Sequence, residues 1–239
     1  MQIACPSAVL DLLARLHEAG YEAYLVGGSL RDSLLGRVPH DWDITASSLP
    51  EETLAVFADY RTIATGLQHG TVTVMADDGG APLPVEITTY RIDGDYLDAR
   101  HPESVSFTRN LADDLARRDF TVCAMAWSPY AAGDGIVDLY DGRGDLDRRL
   151  IRCVGQPEQR FREDALRILR AYRFASELDF AVDDATRAGA RFCAGLLRRI
   201  SAERIASELS RTVLGQNAAA ALGMMAEDGV LGQICPISG

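Results

Sequence analysis

A short segment near the N-terminus constrains the fold of this chain more than any other part. Its apolar run Tyr24-Leu-Val26 indicates a buried strand, which leads through Gly27-Gly-Ser29 into a predicted short helix. A second strand is predicted over Asp41–Thr45. Because residues i and i+2 of a strand point to one face, Asp41 and Asp43 should converge there while the residues between them enter the opposite, apolar layer.

This order of elements suggests a chemistry. Converging carboxylates are hard oxygen ligands that attract Mg²⁺. The Gly-Gly-Ser turn offers backbone N–H groups and the positive end of a helix dipole to a phosphate. Together the two features point to phosphoryl or nucleotidyl transfer. An isolated Asp-x-Asp is also common in solvated turns and helix caps, so the pair alone leaves a structural role open.

Composition narrows the class of protein. The 239 residues are 47% apolar and 25% charged, as in a soluble globular protein of one or two domains. No apolar run approaches the roughly 18 residues that span a bilayer, and the five scattered cysteines fit a reducing compartment, so we expect a cytoplasmic protein. The net charge of −11 opposes nucleic-acid binding overall, but arginines concentrate in the C-terminal third, where a local basic face can form.

The sequence predicts an α+β lobe followed by helices. Strands are predicted over Thr71–Met75 and Val85–Tyr90, and Asp77-Asp-Gly-Gly80 between them is a hairpin signature within a mixed sheet. From Pro157 onward the pattern is helical, which places a domain boundary near residue 150. The predicted helices lie near residues 7–19, 29–35, 51–58, 158–178, 183–197, 201–214 and 217–228.

A charged cluster, Arg117-Arg-Asp119, precedes an apolar run over Val122–Trp127 that we interpret as helical. A salt bridge is the simpler interpretation of such a cluster. In the functional interpretation, Arg118 contacts a phosphate while Asp119 orients it or accepts a hydrogen bond from a ribose hydroxyl.

A second cluster has basic residues at steps of three. On one helix, Asp164, Arg167 and Arg170 would fall within an arc of 120°, with Arg173 beyond them. A helix-surface salt bridge explains such spacing. The carboxylate and guanidinium could instead read the Watson–Crick edge of a base, which would select a nucleotide without a template strand.

Glu86 is a third candidate. It lies in the predicted strand over Val85–Tyr90, and its flanking apolar residues should place it on the opposite face from theirs. It could complete a three-carboxylate metal site with Asp41 and Asp43, or it could be an ordinary exposed glutamate.

Taken together, five motifs resemble the class II tRNA nucleotidyltransferases (CCA-adding enzymes) and the related bacterial poly(A) polymerases in order and spacing. The resemblance covers roughly residues 20–235 and implies a polymerase-β-like head over 1–150 and an all-helical neck over 151–239, with the chain ending where a body domain begins. The motifs are Leu25-Val-Gly-Gly-Ser-Leu-Arg-Asp32, Asp41-x-Asp43, Arg117-Arg-Asp-Phe-Thr121, Glu163-Asp-Ala-Leu-Arg167 and Ile200-Ser-Ala-Glu-Arg-Ile205.

The resemblance implies roles for the head residues. Asp41 and Asp43 would bind two Mg²⁺ ions, and Gly28 and Arg31 would contact the triphosphate. The Arg118-Asp119 pair would hold ribose and phosphate.

It also implies roles for the neck. Asp164 and Arg167 would act as the protein template that accepts CTP or ATP, with Arg170 and Arg173 on the triphosphate side. The loop over Asp95–Pro102 is similar to the element that such enzymes use when they switch from C to A addition. The family form usually has two arginines before the proline, whereas here Arg100 is followed by His101.

The activity implied is template-independent addition of CMP and AMP to the tRNA 3′ end. A poly(A) polymerase shares nearly every motif, and an enzyme that adds only A to a primer ending in CC is a further alternative. A non-catalytic nucleotide-sensing or RNA-binding module is an alternative from a different class. The apparent absence of body and tail domains would weaken the grip on tRNA.

Overall fold

A computed structural model describes residues 3–93 and 105–235, and these divide into two units. The head unit comprises residues 3–93, 105–118 and 123–140, and the helical unit comprises residues 119–122 and 141–235. No helix in the described ranges combines the length and the apolar character needed to cross a membrane.

The head unit is built around a mixed sheet. Its elements are α1 (Ser7–Glu18), β1 (Ala23–Val26), α2 (Gly27–Leu34), β2 (Trp42–Ala46), α3 (Pro50–Val56), β3 (Arg61–Gly66), β4 (Thr71–Asp78), β5 (Ala81–Thr89), β6 (Arg91–Asp93), β7 (Val105–Phe107), α4 (Leu111–Ala116), β8 (Met125–Trp127) and β9 (Ile136–Asp138). Within the described residues the sheet has seven strands in the order β3-β4-β5-β2-β1-β8-β9. Only β2 and β5 pair in parallel, which confirms the predicted mixed sheet.

The predicted β1–α2–β2 order is confirmed. Leu25 of β1 pairs with Ile44 of β2, and both side chains are buried, as the alternation of the sequence predicts. The helix α2 follows β1 without an intervening loop because Gly27 adopts a φ of +68°, a left-handed conformation that favours glycine.

The predicted hairpin is also present, with longer strands than expected. β4 and β5 pair from Thr71↔Thr88 to Asp78↔Ala81, so the turn is the Gly79-Gly80 pair. β5 runs through Pro82 and Pro84, which lie before the point at which β2 begins to pair with it. Proline is tolerated at such positions because, among the residues described, one side of this stretch has no neighbouring strand.

The expected helix over Val122–Trp127 is wrong. The chain forms a single 3₁₀ turn at Thr121–Cys123 and then β8, which lies between β1 and β9. All three residues of β8 are buried. A short apolar run cannot be distinguished from a buried helix by periodicity, and here pairing on both edges decides for the strand.

The helical unit contains most of the chain after residue 140. Its elements are α5 (Gly142–Arg148), β10 (Leu150–Ile151), α6 (Pro157–Glu163), α7 (Leu166–Leu178), β11 (Ala181–Val182), α8 (Asp184–Cys193), α9 (Ala202–Leu214), α10 (Ala218–Glu227) and α11 (Leu231–Ile234). β10 and β11 pair in parallel, and α7 packs against α9 and α10. Most of α7 is buried, which makes it the central helix of this unit.

The helix predicted over residues 158–178 is two helices, which corrects the expected arc of side chains. Asp164 has an extended backbone (φ −138°, ψ 107°) and separates α6 from α7. Its Oδ1 atom accepts a hydrogen bond from the N–H of Leu166 at 3.0 Å. Aspartate competes well for backbone donors at a helix start, and this local bond accompanies the break.

Candidate active site

The head sheet brings two of the predicted carboxylates side by side. Asp43 of β2 and Glu86 of β5 are register partners on parallel strands. Asp41 lies in a bend immediately before β2 and is exposed. Glu86 is exposed while Val85 and Ile87 are buried, so it faces away from their layer as predicted.

The electrostatic environment of Asp43 favours a cation. Burial, the charge of Glu86 and the charge of Asp41 raise the pKa of Asp43 to about 6, against the opposing effect of the Arg118 guanidinium. The negative charges around this carboxylate therefore outweigh the positive charge of Arg118. Among the described residues, no three His, Cys, Asp or Glu side chains are assembled as a ready metal site, so Glu86 stands beside Asp43 without completing a triad. Hard oxygen donors with excess negative charge fit a divalent cation.

Gly27 lies between the carboxylate and a guanidinium. A Cβ at this glycine would lie 3.5 Å from Nη1 of Arg118 and 3.6 Å from Oδ2 of Asp43. Any side chain there would occupy the space that these two groups share. The next glycine, Gly28, is the one predicted to contact a triphosphate, and a Cβ there would lie 3.7 Å from Nη2 of Arg31.

Arg31 is buried in the last turn of α2. Its Nε atom donates to Asp32 at 2.9 Å, and its Nη1 atom donates to the Cys123 sulfur at 3.3 Å. These contacts fix the guanidinium close to the Gly-Gly-Ser turn.

Arg118 is held by a residue that the sequence analysis missed. Its Nη2 atom donates to Oδ2 of Asp114 at 3.0 Å. Asp114 is fully buried, and it also accepts hydrogen bonds from Arg117 at 2.9 Å and from the Thr45 hydroxyl at 3.1 Å. The available signal was the spacing of four residues between Asp114 and Arg118, which is the i,i+4 distance of a helical ion pair.

In the helical unit, Asp119 is paired with Arg170. Nε of Arg170 donates to Oδ2 of Asp119 at 2.7 Å, and the N–H of Phe120 donates to Oδ1 at 2.9 Å. Burial disfavours the charged carboxylate, but Arg170 and Arg167 outweigh it and hold the pKa of Asp119 below its ordinary value. The pairing of Asp119 is therefore with the α7 arginines rather than with the preceding arginine of its motif.

Asp164 and Arg167 have separate partners. Oδ2 of Asp164 accepts from Nη2 of Arg204 at 3.2 Å, and Nη1 of Arg167 donates to Glu163 at 2.9 Å. Arg204 comes from the Ile200-Ser-Ala-Glu-Arg-Ile205 motif, to which the sequence analysis gave no role. The backbones of the two residues of the predicted base-reading pair are in contact, since the N–H of Arg167 donates to the carbonyl of Asp164 at 3.0 Å.

Arg173 does not fit its predicted place on the triphosphate side. Its side chain is only 2% exposed. It donates from Nε to Glu208 at 2.6 Å and from Nη1 to Glu177 at 2.8 Å. Two carboxylates satisfy this guanidinium inside the helical unit, so it is a structural ion pair. The expected loop over Asp95–Pro102, with His101, lies within residues 94–104, which are outside the described residues.

Two family profiles match the chain. Residues 23–152 match the family profile described as the poly(A) polymerase head domain. The chain belongs to this family. Residues 179–238 also match the profile described as the probable RNA and SrmB-binding site of polymerase A. The two profiles cover the strands that carry the carboxylates and the C-terminal helices, respectively.

Curated relatives of this chain include CCA-adding enzymes. The chain is 46% identical over 226 residues to the one from Limosilactobacillus reuteri, covering 94% of this chain and 53% of the relative. It is 48% identical over 221 residues to the one from Geobacillus stearothermophilus, covering 92% and 52%. The chain therefore spans about half the length of the curated relatives it matches.

Solved structures give the same picture. A crystal structure of the Bacillus stearothermophilus CCA-adding enzyme in complex with CTP is similar at a TM-score of 0.86 and 42% identity, over 98% of this chain and 54% of that one. A tRNA nucleotidyltransferase complexed with a primer tRNA and an incoming ATP analog is similar at a TM-score of 0.76 and 29% identity, over 94% and 62%. The predicted head and neck architecture is confirmed by these matches.

Proposed function

We propose that this chain is a template-independent RNA nucleotidyltransferase that adds CMP and AMP to the tRNA 3′ end from CTP and ATP. The proposal depends on the surroundings of Asp43. Neighbouring negative charges raise its pKa, and it lies near the Arg118 guanidinium and Gly27. Nucleotidyl transfer needs a cation site next to a phosphate site, and this cluster offers both. A tRNA substrate would place the activity in the cytoplasm.

Nucleotidyltransferases of this family depend on a divalent metal, and we propose Mg²⁺ held by Asp41 and Asp43, with Glu86 beside them. When bound, such ions would activate the primer 3′-hydroxyl and neutralise the leaving pyrophosphate. Asp43 would contribute its charged form, because a cation offsets the burial and the neighbouring carboxylate charges that raise its pKa.

The triphosphate would be bound by donors of the head unit. The Nε atom of Arg118 is buried and has no hydrogen-bond partner among the described residues, which makes it a donor in need of an acceptor. Backbone N–H groups around Gly28 at the start of α2 would add to it, and Arg31 would contribute positive charge. Phosphate oxygens suit all of these donors.

Nucleotide choice would rest on the helical unit. Each oxygen of the Asp164 carboxylate uses one partner, so further lone pairs can accept from the amino group of cytosine or adenine. Arg167 would donate to the same base edge, and Arg170 with Asp119 would contact phosphate and ribose. Uracil and guanine place a carbonyl at the equivalent position, which would face the Asp164 carboxylate unfavourably.

One primer series tests the proposal. The chain is incubated with Mg²⁺, each NTP in turn, and tRNA transcripts that end before CCA, after C or after CC. Ordered addition of C, C and A followed by a stop is the expected result. Continued A addition would indicate a poly(A) polymerase, which the family name makes the second candidate. Addition of A to the CC primer alone would indicate an A-adding specialist, and binding without incorporation would indicate a non-catalytic module.

A further inference from the structure

Asp114 is a fully buried carboxylate in the head unit that has no role in the reaction described above. Its two oxygens accept hydrogen bonds from three side chains, namely Thr45, Arg117 and Arg118. Burial disfavours its charge, yet Arg118 and Arg117 hold the pKa of Asp114 below its ordinary value, so it stays ionised at neutral pH. The partners of this buried charge include Arg118, which is a residue of the candidate site.

The contacts of Asp114 join two parts of that site. Thr45 lies on β2, two residues after Asp43, and its hydroxyl donates to Oδ2 of Asp114. The same oxygen accepts from Nη2 of Arg118 at 3.0 Å. One carboxylate oxygen therefore fixes the Arg118 guanidinium to β2, the strand that carries Asp43.

Asp114 also determines which nitrogen atoms of Arg118 can donate to a ligand. Nη1 of Arg118 lies next to Gly27 and its charge is felt by Asp43, while Nε has no partner in the described ranges. Without Asp114, the charge of Asp43 would remain to compensate this guanidinium across the space at Gly27. A direct ion pair would take up the carboxylate that is to hold the cation. With Asp114 in place, the guanidinium has a counterion of its own and presents a buried donor to a ligand.

We propose that Asp114 is a positioning residue that holds Arg118 against β2 so that its Nε donor meets the triphosphate of the incoming nucleotide and Asp43 stays open to the cation. This inference rests on the proposed function. Asp114 touches neither the substrate nor the metal in this scheme and acts only through Arg118.

The chain offers a matched control in the helical unit. Asp145 is also fully buried, and it also accepts hydrogen bonds from one threonine and two arginines, namely Thr121, Arg148 and Arg152. Asp114→Asn and Asp145→Asn therefore alter two fully buried carboxylates that have the same types of hydrogen-bond partner. Dissociation constants for CTP and for cytidine, measured by NMR titration of the full chain, separate loss of triphosphate contacts from loss of structure.

We expect Asp114→Asn to weaken CTP binding by roughly 10-fold or more, the size of a lost charge-assisted hydrogen bond, with cytidine binding unchanged. Asp145→Asn should change neither. In an Arg118→Met background, Asp114→Asn should add no further loss, because the residue through which it acts is gone. Additive effects of the two substitutions, or equal weakening of CTP and cytidine, would overturn the proposal.

Two further measurements keep the outcome decisive. If Asp114→Asn does not fold, Thr45→Val removes only the hydroxyl bond to Asp114 and should weaken CTP binding by about threefold with cytidine unchanged. Unchanged CTP binding in that variant would count against the proposal. Wild-type chain that binds CTP but never extends a primer would refute the proposed catalysis, whereas the CTP and cytidine comparison would still decide the role of Asp114.

Discussion

Asp43 and Glu86 are register partners on two parallel strands, and the charge of Glu86 disfavours the charge of Asp43. The apparent pKa of Asp43, about 6, means that the ionised form is destabilised in the metal-free fold. Unfolding removes both the burial and the repulsion that raise this pKa. The site that would bind the cation is therefore a local source of instability until a cation is present.

Asp43→Asn should abolish nucleotide incorporation and at the same time stabilise the metal-free fold. At pH 7.5 the free energy of unfolding should rise by up to about 3 kcal/mol, since a shift of one pKa unit corresponds to about 1.4 kcal/mol. Thermal unfolding in EDTA measures the gain. Mg²⁺ should stabilise the wild type and not the variant; a variant that is less stable than wild type in EDTA would contradict the assigned electrostatics.

Gly27→Ala should damage activity more than stability. The positive φ of +68° makes alanine unfavourable by about 1 kcal/mol, and the added Cβ would enter the space between Arg118 and Asp43. Gly36→Ala is a matched control, because Gly36 has a φ of +69° and no atom within 4 Å of an added Cβ. Both variants should lose similar stability in urea denaturation, but only Gly27→Ala should lose kcat/KM for CTP, by tenfold or more as an order of magnitude. Equal activity in the two would remove Gly27 from the site.

Arg167→Ala should relax nucleotide choice. A bidentate contact to a base edge is worth about 1–3 kcal/mol, so the preference for CTP over UTP should fall by roughly 10- to 100-fold. Single-nucleotide incorporation with each NTP gives the ratio of kcat/KM values. Arg162→Ala removes an exposed guanidinium from the same region and should leave the ratio unchanged. A general loss of kcat with an unchanged ratio would assign Arg167 a structural role.

Asp228 gives the helical unit an acid-sensitive point. Burial disfavours its charge, but hydrogen bonds from Arg187, Tyr172 and Arg191 hold its pKa below the ordinary value. Because the folded pKa is lower than the unfolded one, this stabilisation is present above about pH 4 and is lost as the pH falls through the folded pKa. Asp228→Asn should cost about 2 kcal/mol at pH 7 and flatten the decline in acid.

Urea unfolding between pH 3 and pH 7 tests this expectation. Asp147→Asn, at an exposed aspartate of α5, should leave the whole profile unchanged. An Asp228→Asn profile that still parallels the wild type would show that other carboxylates dominate acid unfolding.

The sequence predicts what local patterning determines. The β1–α2–β2 order follows from short-range signals, and so does the hairpin at Gly79-Gly80, because alternation and turn glycines act within a few residues. The facing of Glu86 away from its apolar neighbours follows from strand period alone.

Tertiary context determines the rest. β8 is a strand because β1 and β9 pair with it, and no pattern within its three residues shows those neighbours. Asp164 breaks a helix that periodicity continues, since its side chain takes the N–H of Leu166. Arg118 pairs with Asp114, and Arg173 pairs with two glutamates, one of them on α9. A buried charge is stable only with a partner of opposite charge, and the fold determines which partner is near.

The prolines of β5 have a consequence for solubility. Residues Ala81–Pro84 of that strand pair with β4 but extend beyond β2, so in the part of the chain that the structure describes one side of this stretch is an open sheet edge. An approaching strand from another molecule would find no N–H at Pro82 or Pro84 with which to extend the ladder. Natural sheets use proline in this way to discourage edge-to-edge aggregation. The projecting end of the hairpin is thus protected against self-association by its own sequence.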